Sequence, residues 1–554
     1  MGHMTYKSQT EPELQRHVAP AEPDPPQPSV ARSTGLMAIA TFASRITGLI
    51  RTMVMASAVA TTVIADAYNI ANTLPTIIFE LVAGGLLSAA FVPIFLLQIE
   101  KFGKRGGDRY ASNLLNIIVI AMGILAFLLT VFAEPLISTQ GWTLKPEDRA
   151  TVMQYAVPFF RIFAVQIVFY GLGSVFTSLL NANRVFFLPT LAPLFNNLVV
   201  IASFVAYTII APGDFGLALT VLAIGTTLGV VAQFAVQIPA MVKLKIKYTL
   251  RINIKDPAFI DTVKISIPMI IYVAGTFVSL LFRNSLSLST GEGGQATLLY
   301  AWTWFQLPHG ILAASLSRAV FTEMSQALAR DDRTGFQRFL RQGLSGTLLI
   351  IIPLAGLMCA LSLPLNQILE SGKFDASDAA YVASILRVWV FAMPLYSIQL
   401  YLFNVFASIR RFNLFAWICT ALCALQCLLY YVLCNIPSVA LAGIPIADFV
   451  YYLLTTLVLF LVLRKLIGNI GGRAAFSTAV KVLVATAVGA GAVGLANHFL
   501  SFGDGRLAGA GAVVVYGVIG LLVIFALCKL MRVPEISQVT NLFFRTIKAF
   551  KRTH

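Results

Sequence analysis

The chain has 554 residues, of which 58% are hydrophobic and only 12% are charged. Soluble domains carry about a quarter charged residues, so this composition excludes a soluble body of this size. The net charge of +16 would favour nucleic acid in a soluble protein. Basic cytoplasmic loops account for such a charge in a membrane protein, and we expect no nucleic-acid partner.

Residues 1–33 are polar, rich in Pro and Glu, and contain no apolar run. Met1–Met4 is typical of a cloning remnant. We expect residues 1–33 to form a disordered cytoplasmic tail and not a signal peptide.

Apolar runs of about 20 residues, the length of a membrane-spanning helix, fill most of the chain after this tail. The runs do not alternate with a period of two, so they predict a helix bundle and not a closed barrel. We predict an all-α integral membrane protein with about 14 transmembrane helices. The predicted spans are residues 35–59, 67–98, 111–135, 152–181, 186–211, 216–240, 261–288, 295–321, 341–363, 379–408, 412–434, 438–463, 475–499 and 507–531.

Alternate loops between these spans differ in charge. The basic set includes Lys101, Arg184, Lys243, Arg330, Arg410 and Arg464, and the other, mildly acidic set includes Glu134, Asp214, Glu292, Asp375 and Asp504. Cytoplasmic loops are the basic ones in membrane proteins. The unbroken alternation predicts an even number of spans with both termini in the cytoplasm.

A weak internal repeat relates residues 179–186 to residues 405–412, each at a predicted cytoplasmic turn. Repeats of this kind are common in transporters and predict two pseudo-symmetric lobes of about six helices each. The C-terminal residues from Lys529 onward interleave Lys and Arg with Phe. This pattern predicts an amphipathic helix on anionic lipid or, alternatively, a frayed basic tail. The predicted domains are the tail over 1–33, an N-terminal lobe over 34–240, a C-terminal lobe over 241–463, a helix pair over 464–531 and a basic cytoplasmic tail over 532–554.

Ionisable side chains inside predicted spans are costly and therefore mark candidate functional residues. Ser44, Arg45 and Arg51 lie in the first span, where the two arginines point about 120° apart on an ideal helix. Guanidinium groups suit a pyrophosphate because they donate paired hydrogen bonds. We predict that these residues bind an anionic head group; alternatively, the arginines reach the membrane interface or pair with Asp66 or Glu80.

Three further charged residues are candidates for the same site. Asp66 opens the second span and could position Arg51, bind a coupling cation or cap a helix. Glu80 lies deeper in that span, and Arg283 in the seventh span is a cation that either faces the substrate or reaches the interface. His309 is expected to be structural.

The sequence contains no nucleotide-binding Gly-x-x-x-x-Gly-Lys-Ser/Thr loop and no His–Glu metal pattern. We expect no catalytic residue, metal or cofactor, and leave open a coupling cation such as sodium or a proton.

Several motifs resemble a known family. Ser44-Arg45-x-x-Gly48-x-x-Arg51, then Asp66, Leu74-Pro75 and Gly84-Gly85-x-x-Ser88-x-x-Phe91-Val-Pro93 resemble the opening of the MurJ (MviN) lipid II flippases. So do Leu179-Leu-Asn-Ala-Asn-Arg184-x-Phe186-x-x-Pro189-x-x-Ala-Pro193-x-x-Asn196-Asn197 and Gly372-Lys373-Phe374-x-x-x-Asp378. The resemblance covers most of residues 34–531.

The resemblance implies the fold of the multidrug/oligosaccharidyl-lipid/polysaccharide exporter superfamily, with alternating access and a cationic central cavity. It places Arg45, Arg51 and Asp66 in that cavity and a groove for the polyprenyl tail beside the last two spans. Thr76 and Phe79 depart from the family, in which many members have Asn and Arg there. Thr303 stands where the family has a cavity arginine, and Arg283 is our candidate replacement for one missing cation.

We therefore predict a transporter, not an enzyme, that flips lipid II from the inner to the outer leaflet of the bacterial cytoplasmic membrane, driven by the membrane potential. We expect a monomer with anionic membrane lipids as partners and the cell-wall synthesis machinery as a further candidate partner. The alternatives are a flippase for another polyprenyl-linked glycan, a cation-coupled drug exporter, a glycosyltransferase using Asp375 and Asp378, or a scaffold.

Overall fold

A computed structural model describes residues 30–84, 90–468 and 472–536, without the side chains of residues 30–38, 329, 473 and 474. The predicted N-terminal tail up to residue 29 and the predicted tail helix from residue 537 lie outside the described residues. Helix α1 begins at Val30, so residues 30–33 of the predicted tail are helical, and the domain boundary at residue 33 stays a prediction.

The described residues form α-helices joined by short turns, which confirms the all-α prediction. In chain order the helices are α1 (Val30–Val59), α2 (Val63–Phe79), α3 (Phe91–Val131), α4 (Ala133–Ser138), α5 (Pro146–Phe163), α6 (Gln166–Ala182), α7 (Phe187–Ile210), α8 (Phe215–Ala235), α9 (Ile238–Lys243), α10 (Pro257–Ser289), α11 (Gly294–Pro308), α12 (Ala314–Ala329), α13 (Arg333–Ala360), α14 (Ser362–Gln367), α15 (Ala376–Trp389), α16 (Met393–Ser408), α17 (Phe412–Cys434), α18 (Gly443–Ile467), α19 (Gly472–Phe499) and α20 (Arg506–Leu530). Two π-helical turns, Glu80–Gly84 and His309–Ala313, follow α2 and α11.

Within the described residues, 10 helical segments are long and apolar enough to cross a membrane, and the pair α5 and α6, bent by 41°, would make 11. The chain is therefore a multi-pass membrane protein. The predicted spans at 35–59, 67–98 and 295–321 lie at α1, at α2 with the start of α3, and at α11 with α12. Arginines lower the hydropathy of α1, and π-helical turns interrupt the other two. The count of about 14 spans stays a prediction.

Helix α3 bends at Gly103, whose φ of 64° and ψ of −170° are not helical. Glycine has no Cβ and adopts a positive φ at little cost. The basic stretch between the second and third predicted spans is thus helical on both sides of this break, where the sequence had predicted a loop.

The helices pack in two groups. Helices α1–α9, here the N-terminal bundle, pack through α1 on α7, α7 on α8, and α3 on α6. Helices α10–α18, here the C-terminal bundle, pack through α10 on α17, α17 on α18, and α13 on α16. Helix α19 packs on α13, and α20 packs on α19 and α14. The two bundles meet where α1 and α2 contact α11 and where α3 contacts α10.

Two buried asparagines of α3 hold the segment that joins the bundles. Asn113 donates to the carbonyl of Asn253 at 2.9 Å and accepts from its N–H at 2.6 Å. Asn116 donates to the carbonyls of Thr249 and Arg251 at 3.1 and 2.9 Å. Because these side chains satisfy backbone groups that lack a helical partner, the connecting segment is fixed against the N-terminal bundle.

Candidate functional site

A cavity of about 500 Å³ lies between α1, α7 and α11, at the junction of the two bundles. Helix α1 contributes Ser44, Arg45 and Arg51 to its wall, helix α7 contributes Thr190 and Asn197, and helix α11 contributes Trp302, Thr303 and Gln306. The structure thus brings together three of the residues predicted from sequence. It adds Asn197, Trp302 and Gln306, which sequence reasoning did not single out as binding residues.

Arg45 extends from α1 to the C-terminal bundle. Its guanidinium lies against Gly310, where an added Cβ would be 3.0 Å from Nη2 and 3.1 Å from Cζ. Gly310 belongs to the π-helical turn after α11, and such turns are frequent at functional sites. The absence of a side chain at position 310 therefore leaves the space that Arg45 occupies.

His309 supports this part of the wall from behind. Its ring lies 4.3 Å from that of Tyr396, and its Nδ1 is 3.0 Å from the hydroxyl of Ser397. His309 is buried, and these contacts with α16 agree with the structural role expected for it.

The two cavity arginines have no carboxylate partner among the described residues. Across all the described residues, the ion pair closer than 4.0 Å is the one between Arg251 and Asp256, which lie in the segment between the bundles. Arg51 lies within electrostatic range of the hydroxyls of Tyr68 and Tyr170. The alternative that these arginines pair with Asp66 or Glu80 is therefore not realised here, and both guanidinium groups keep donors for an anion.

Ser44 and Asn197 join α1 to α7 at the cavity. The side-chain amide of Asn197 donates to the carbonyl of Ser44 at 3.2 Å and to the hydroxyl of Thr47 at 3.1 Å. The wall that carries Arg45 is thus fixed to the rest of the N-terminal bundle.

Asp66 does not line this cavity. Its Oδ2 accepts from the N–H of Gly293 at 2.9 Å and its Oδ1 accepts from the N–H of Ala296 at 2.8 Å. Both donors are at the amino end of α11, where a carboxylate is favoured by the helix dipole and by unpaired N–H groups. Capping was one of the roles considered for Asp66, but the helix that it caps belongs to the opposite bundle.

Asp66 is part of a set of contacts that we call the interbundle seal. It joins residues 57–66 to two segments of the C-terminal bundle, residues 290–300 and 371–378. The hydroxyl of Tyr300 donates to the carbonyl of Ala60 at 2.7 Å. The backbone N–H of Lys373 donates to the carbonyl of Ser57 at 3.0 Å. The hydroxyl of Thr61 donates to Asp378. This network joins the N-terminal bundle to the C-terminal bundle.

Close backbone approaches complete the seal. A Cβ at Gly293 would be 2.1 Å from the carbonyl oxygen of Thr61, and a Cβ at Gly372 would be 2.4 Å from that of Ser57. Asp375 caps α15 next to Gly372, and hydrogen bonds from the Ser377 hydroxyl and the Asp378 N–H hold the pKa of its carboxyl below its usual value. The loop that contacts α1 is therefore fixed by its own helix cap.

Thr76 and Glu80 also lie off the cavity wall. Thr76 lies beside the hydroxyl of Tyr170, and Phe79 packs on the same ring with 5.9 Å between centroids. Glu80 is exposed at the start of the π-helical turn. The position at which many family members have an arginine is thus part of an aromatic contact between α2 and α6.

Arg283 lies inside the C-terminal bundle rather than on the cavity wall. Its Nε is buried without a hydrogen-bond partner among the described residues, and its charge acts on Asp448. Asp448 is buried and accepts from Trp389 Nε1 at 2.9 Å, from Gln426 Nε2 at 2.8 Å and from the hydroxyl of Tyr430. Sequence reasoning missed Asp448, although a lone carboxylate in the span at 438–463 was the signal that could have found it.

Two helix bundles around a cavity that carries arginines define a polytopic membrane transporter. Residues 55–508 match the family model described as Lipid II flippase MurJ, and the chain belongs to that family. The resemblance noted in the motifs is therefore confirmed.

Individual relatives agree with this assignment. The chain is 28% identical over 484 residues to the probable lipid II flippase MurJ of Rhizobium meliloti (strain 1021), covering 84% of this chain and 86% of that protein. A solved lipid II flippase MurJ in an inward closed conformation matches with a TM-score of 0.72 and 22% identity, over 90% of this chain and 98% of that one. An inward-facing multidrug resistance MATE family transporter of the MOP superfamily matches with a TM-score of 0.58 and 15% identity, over 79% and 95%. These structures share the fold.

Proposed function

We propose that this chain flips lipid II, the undecaprenyl-pyrophosphate-linked peptidoglycan precursor, from the inner to the outer leaflet of the bacterial cytoplasmic membrane. The observation that carries the proposal is the placement of Arg45 and Arg51 on the cavity wall without a carboxylate partner among the described residues. Arg45 is exposed and Arg51 is half-buried, so a ligand in the cavity can reach both guanidinium groups. A pyrophosphate suits such groups through paired, charge-assisted hydrogen bonds.

The interbundle seal supports alternating access. Its segments carry Glu292, Asp375 and Asp378, which belong to the acidic set that the positive-inside rule places outside the cell. In our proposal the external end of the interface is closed in this state, and the head group enters from the cytoplasmic leaflet. Rocking of the two bundles then breaks the seal and releases the head group outside.

The topology belongs to the same proposal. About 14 spans with both termini in the cytoplasm would place the basic loops inside. The bundles would act as the two lobes, over 34–240 and 241–463, and the packing of α19 and α20 against α13 and α14 supports a separate helix pair beside them. The polyprenyl tail would remain in lipid next to this pair. We propose a monomer that contacts anionic lipids through its basic tail.

The membrane potential is a sufficient driving force. A pyrophosphate carries roughly two negative charges, and each gains about 2.3 kcal/mol per 100 mV on moving outward from a negative cytoplasm. The total of about 4–5 kcal/mol exceeds thermal energy severalfold without any coupling ion.

Asp66, Thr76, Glu80 and Arg283 remain proposed head-group contacts, for states in which the bundles have moved. Asp66 would become free to interact with Arg51 once the seal is broken, because both of its oxygens are held by α11 in this state. Thr303 favours a second candidate function, a flippase for another polyprenyl-linked glycan, because a neutral residue lines the cavity where the family has an arginine.

Rescue of flippase-depleted bacteria tests the proposal. The chain, Arg45→Ala and Arg51→Ala would each be expressed in cells depleted of their own lipid II flippase, with growth and outer-leaflet lipid II as readouts. Arg161→Ala is the matched control, since Arg161 is exposed on α5 and does not line the cavity. We expect rescue by the native chain and the control but not by the cavity variants. Failure of the well-expressed native chain would favour another glycan.

A further inference from the structure

The side chains that α1 and α11 contribute to the cavity differ in chemistry. The α1 wall carries Arg45 and Arg51, whereas the α11 wall carries the neutral side chains Trp302, Thr303 and Gln306. Resting on the proposed function, we propose that the α11 wall is a sugar subsite: Trp302 contacts the face of a pyranose ring, and Thr303 and Gln306 accept hydrogen bonds from its hydroxyl or acetamido groups. The pyrophosphate then lies at the guanidinium groups of Arg45 and Arg51.

Trp302 is held rigidly while part of it remains on the cavity surface. Its ring stacks on Phe305 with 4.8 Å between centroids and an angle of 13°. Trp389 and Tyr396 contact it at 5.0 and 5.6 Å, and Phe305 and Trp389 are fully buried. An aromatic ring fixed by packing offers apolar area at a low entropic cost on binding. The C–H face of a sugar ring is the ligand surface that suits such a platform, because its hydroxyl groups project outward towards polar neighbours.

The polar groups of this wall are poised as acceptors. The hydroxyl of Thr303 donates to the carbonyl of Leu299 at 2.9 Å, which leaves its oxygen lone pairs for the cavity. The amide nitrogen of Gln306 donates to the hydroxyl of Tyr396 at 3.3 Å, which leaves its Oε1 as the free end of the amide. Phosphate oxygens find no cation among these side chains, whereas sugar O–H and acetamido N–H groups are donors that the two oxygens can accept.

The two arginines contributed by α1 have the complementary preference. Guanidinium groups donate and do not accept, so Arg45 and Arg51 bind phosphate oxygens. The cavity of about 500 Å³ is within the range of sites that enclose small ligands. Head-group orientation therefore follows from the two walls, and the sugar subsite gives this chain a means to select glycosylated lipids.

Binding of two probes tests the subsite. The full chain would be reconstituted in phosphatidylcholine nanodiscs, and Kd would be measured for lipid II and for undecaprenyl pyrophosphate, which carries no sugar. We expect Trp302→Leu to weaken lipid II binding about tenfold, which is about 1.4 kcal/mol, and to leave undecaprenyl pyrophosphate unchanged. Trp302→Phe should retain most of the affinity, and Arg45→Ala should weaken both probes.

Two further variants protect the test against misfolding. Thr303→Val has nearly the same shape and removes only the hydroxyl, so we expect a smaller loss for lipid II alone. Trp417→Leu is the matched control, because Trp417 is 60% exposed on α17, away from the cavity wall. Equal loss for both probes in folded Trp302→Leu, or no loss for either, would overturn the sugar subsite. Binding of neither probe by the native chain would instead overturn the proposed function.

Discussion

Asp66 Oδ2 accepts a hydrogen bond from the backbone N–H of Gly293 at 2.9 Å, across the interface between the two bundles. Asp66→Asn keeps one acceptor but loses the negative charge at the amino end of α11, a loss of about 1–2 kcal/mol. We expect the seal to open more often, and Thr61→Cys in this background to react with an impermeant maleimide about 5- to 30-fold faster.

The control for this prediction is Asp214→Asn. Asp214 caps α8 through the N–H of Leu217 at 2.9 Å, within the N-terminal bundle and away from the seal. The same chemical change there should leave the reactivity of Cys at position 61 unchanged. Equal rates in all three backgrounds would show that the cap does not hold the seal.

A disulfide across the seal should stop transport. The hydroxyl of Thr61 donates to the carboxylate of Asp378 across the seal, so we expect Cys side chains at the two positions to come close enough in this state to be joined by oxidation. We expect the oxidised double variant to lose outer-leaflet delivery of lipid II and to regain it on reduction. Each single Cys variant, oxidised in the same way, controls for the native cysteines. Full transport by a protein shown to be cross-linked would contradict opening at this end.

A methyl group at position 310 should displace Arg45. A Cβ there would lie 3.0 Å from the guanidinium, so in Gly310→Ala the flexible end of Arg45 must shift, and we expect a several-fold loss in undecaprenyl pyrophosphate affinity on the order of 0.5–1 kcal/mol. Gly123→Ala is the matched control, because it is helical and a Cβ there would have no neighbour within 4 Å among the described residues. Since alanine favours a helix over glycine, both variants should remain folded. Equal affinity in the two variants would remove the positioning role of Gly310.

The sequence predicted the cavity arginines because charge inside an apolar span has few structural explanations. Arg45, Arg51 and Ser44 could therefore be placed at a site before any geometry was known. The partners of Asp66 could not be predicted, because Gly293 is 227 residues away along the chain and offers only its backbone N–H. A backbone donor of this kind cannot be recognised from the type of side chain in the sequence.

The role of Trp302 could not be predicted from the sequence for a different reason. An aromatic residue in an apolar span is compatible with lipid, with a packed core or with a binding wall, and hydrophobicity does not distinguish among them. The structure assigns Trp302 to a binding wall, because its ring packs on Phe305 and lines the cavity beside Gln306. The break at Gly103 was hidden for a similar reason, since a helix continues on both sides of it.

Arg283 and Asp448 should depend on each other for stability. Asp448→Asn would remove the carboxylate that lies within electrostatic range of the half-buried Arg283. It would also remove the charge from an acceptor of Trp389 and Gln426, and we expect a total loss of about 1–3 kcal/mol. We expect the thermal unfolding midpoint in detergent to fall in Asp448→Asn and in Arg283→Gln, and to recover in part in the double variant. Additive losses would show that the two charges do not interact. Loss of transport by a stable Arg283→Gln protein would instead support its proposed contact with the head group.

Thr303→Arg tests how the α11 wall sets specificity. The substitution introduces the cation that resembles the family's residue at this position and places it on the α11 side of the cavity. A charge-assisted hydrogen bond contributes about 1.5–3 kcal/mol, so undecaprenyl pyrophosphate should bind about ten- to a hundredfold more tightly. Lipid II should gain less, because the arginine replaces an acceptor in the sugar subsite with donors. Thr190→Arg, on the α7 wall of the same cavity, controls for added charge alone. An equal gain for both lipids in Thr303→Arg would mean that the phosphate, and not the sugar, lies against α11.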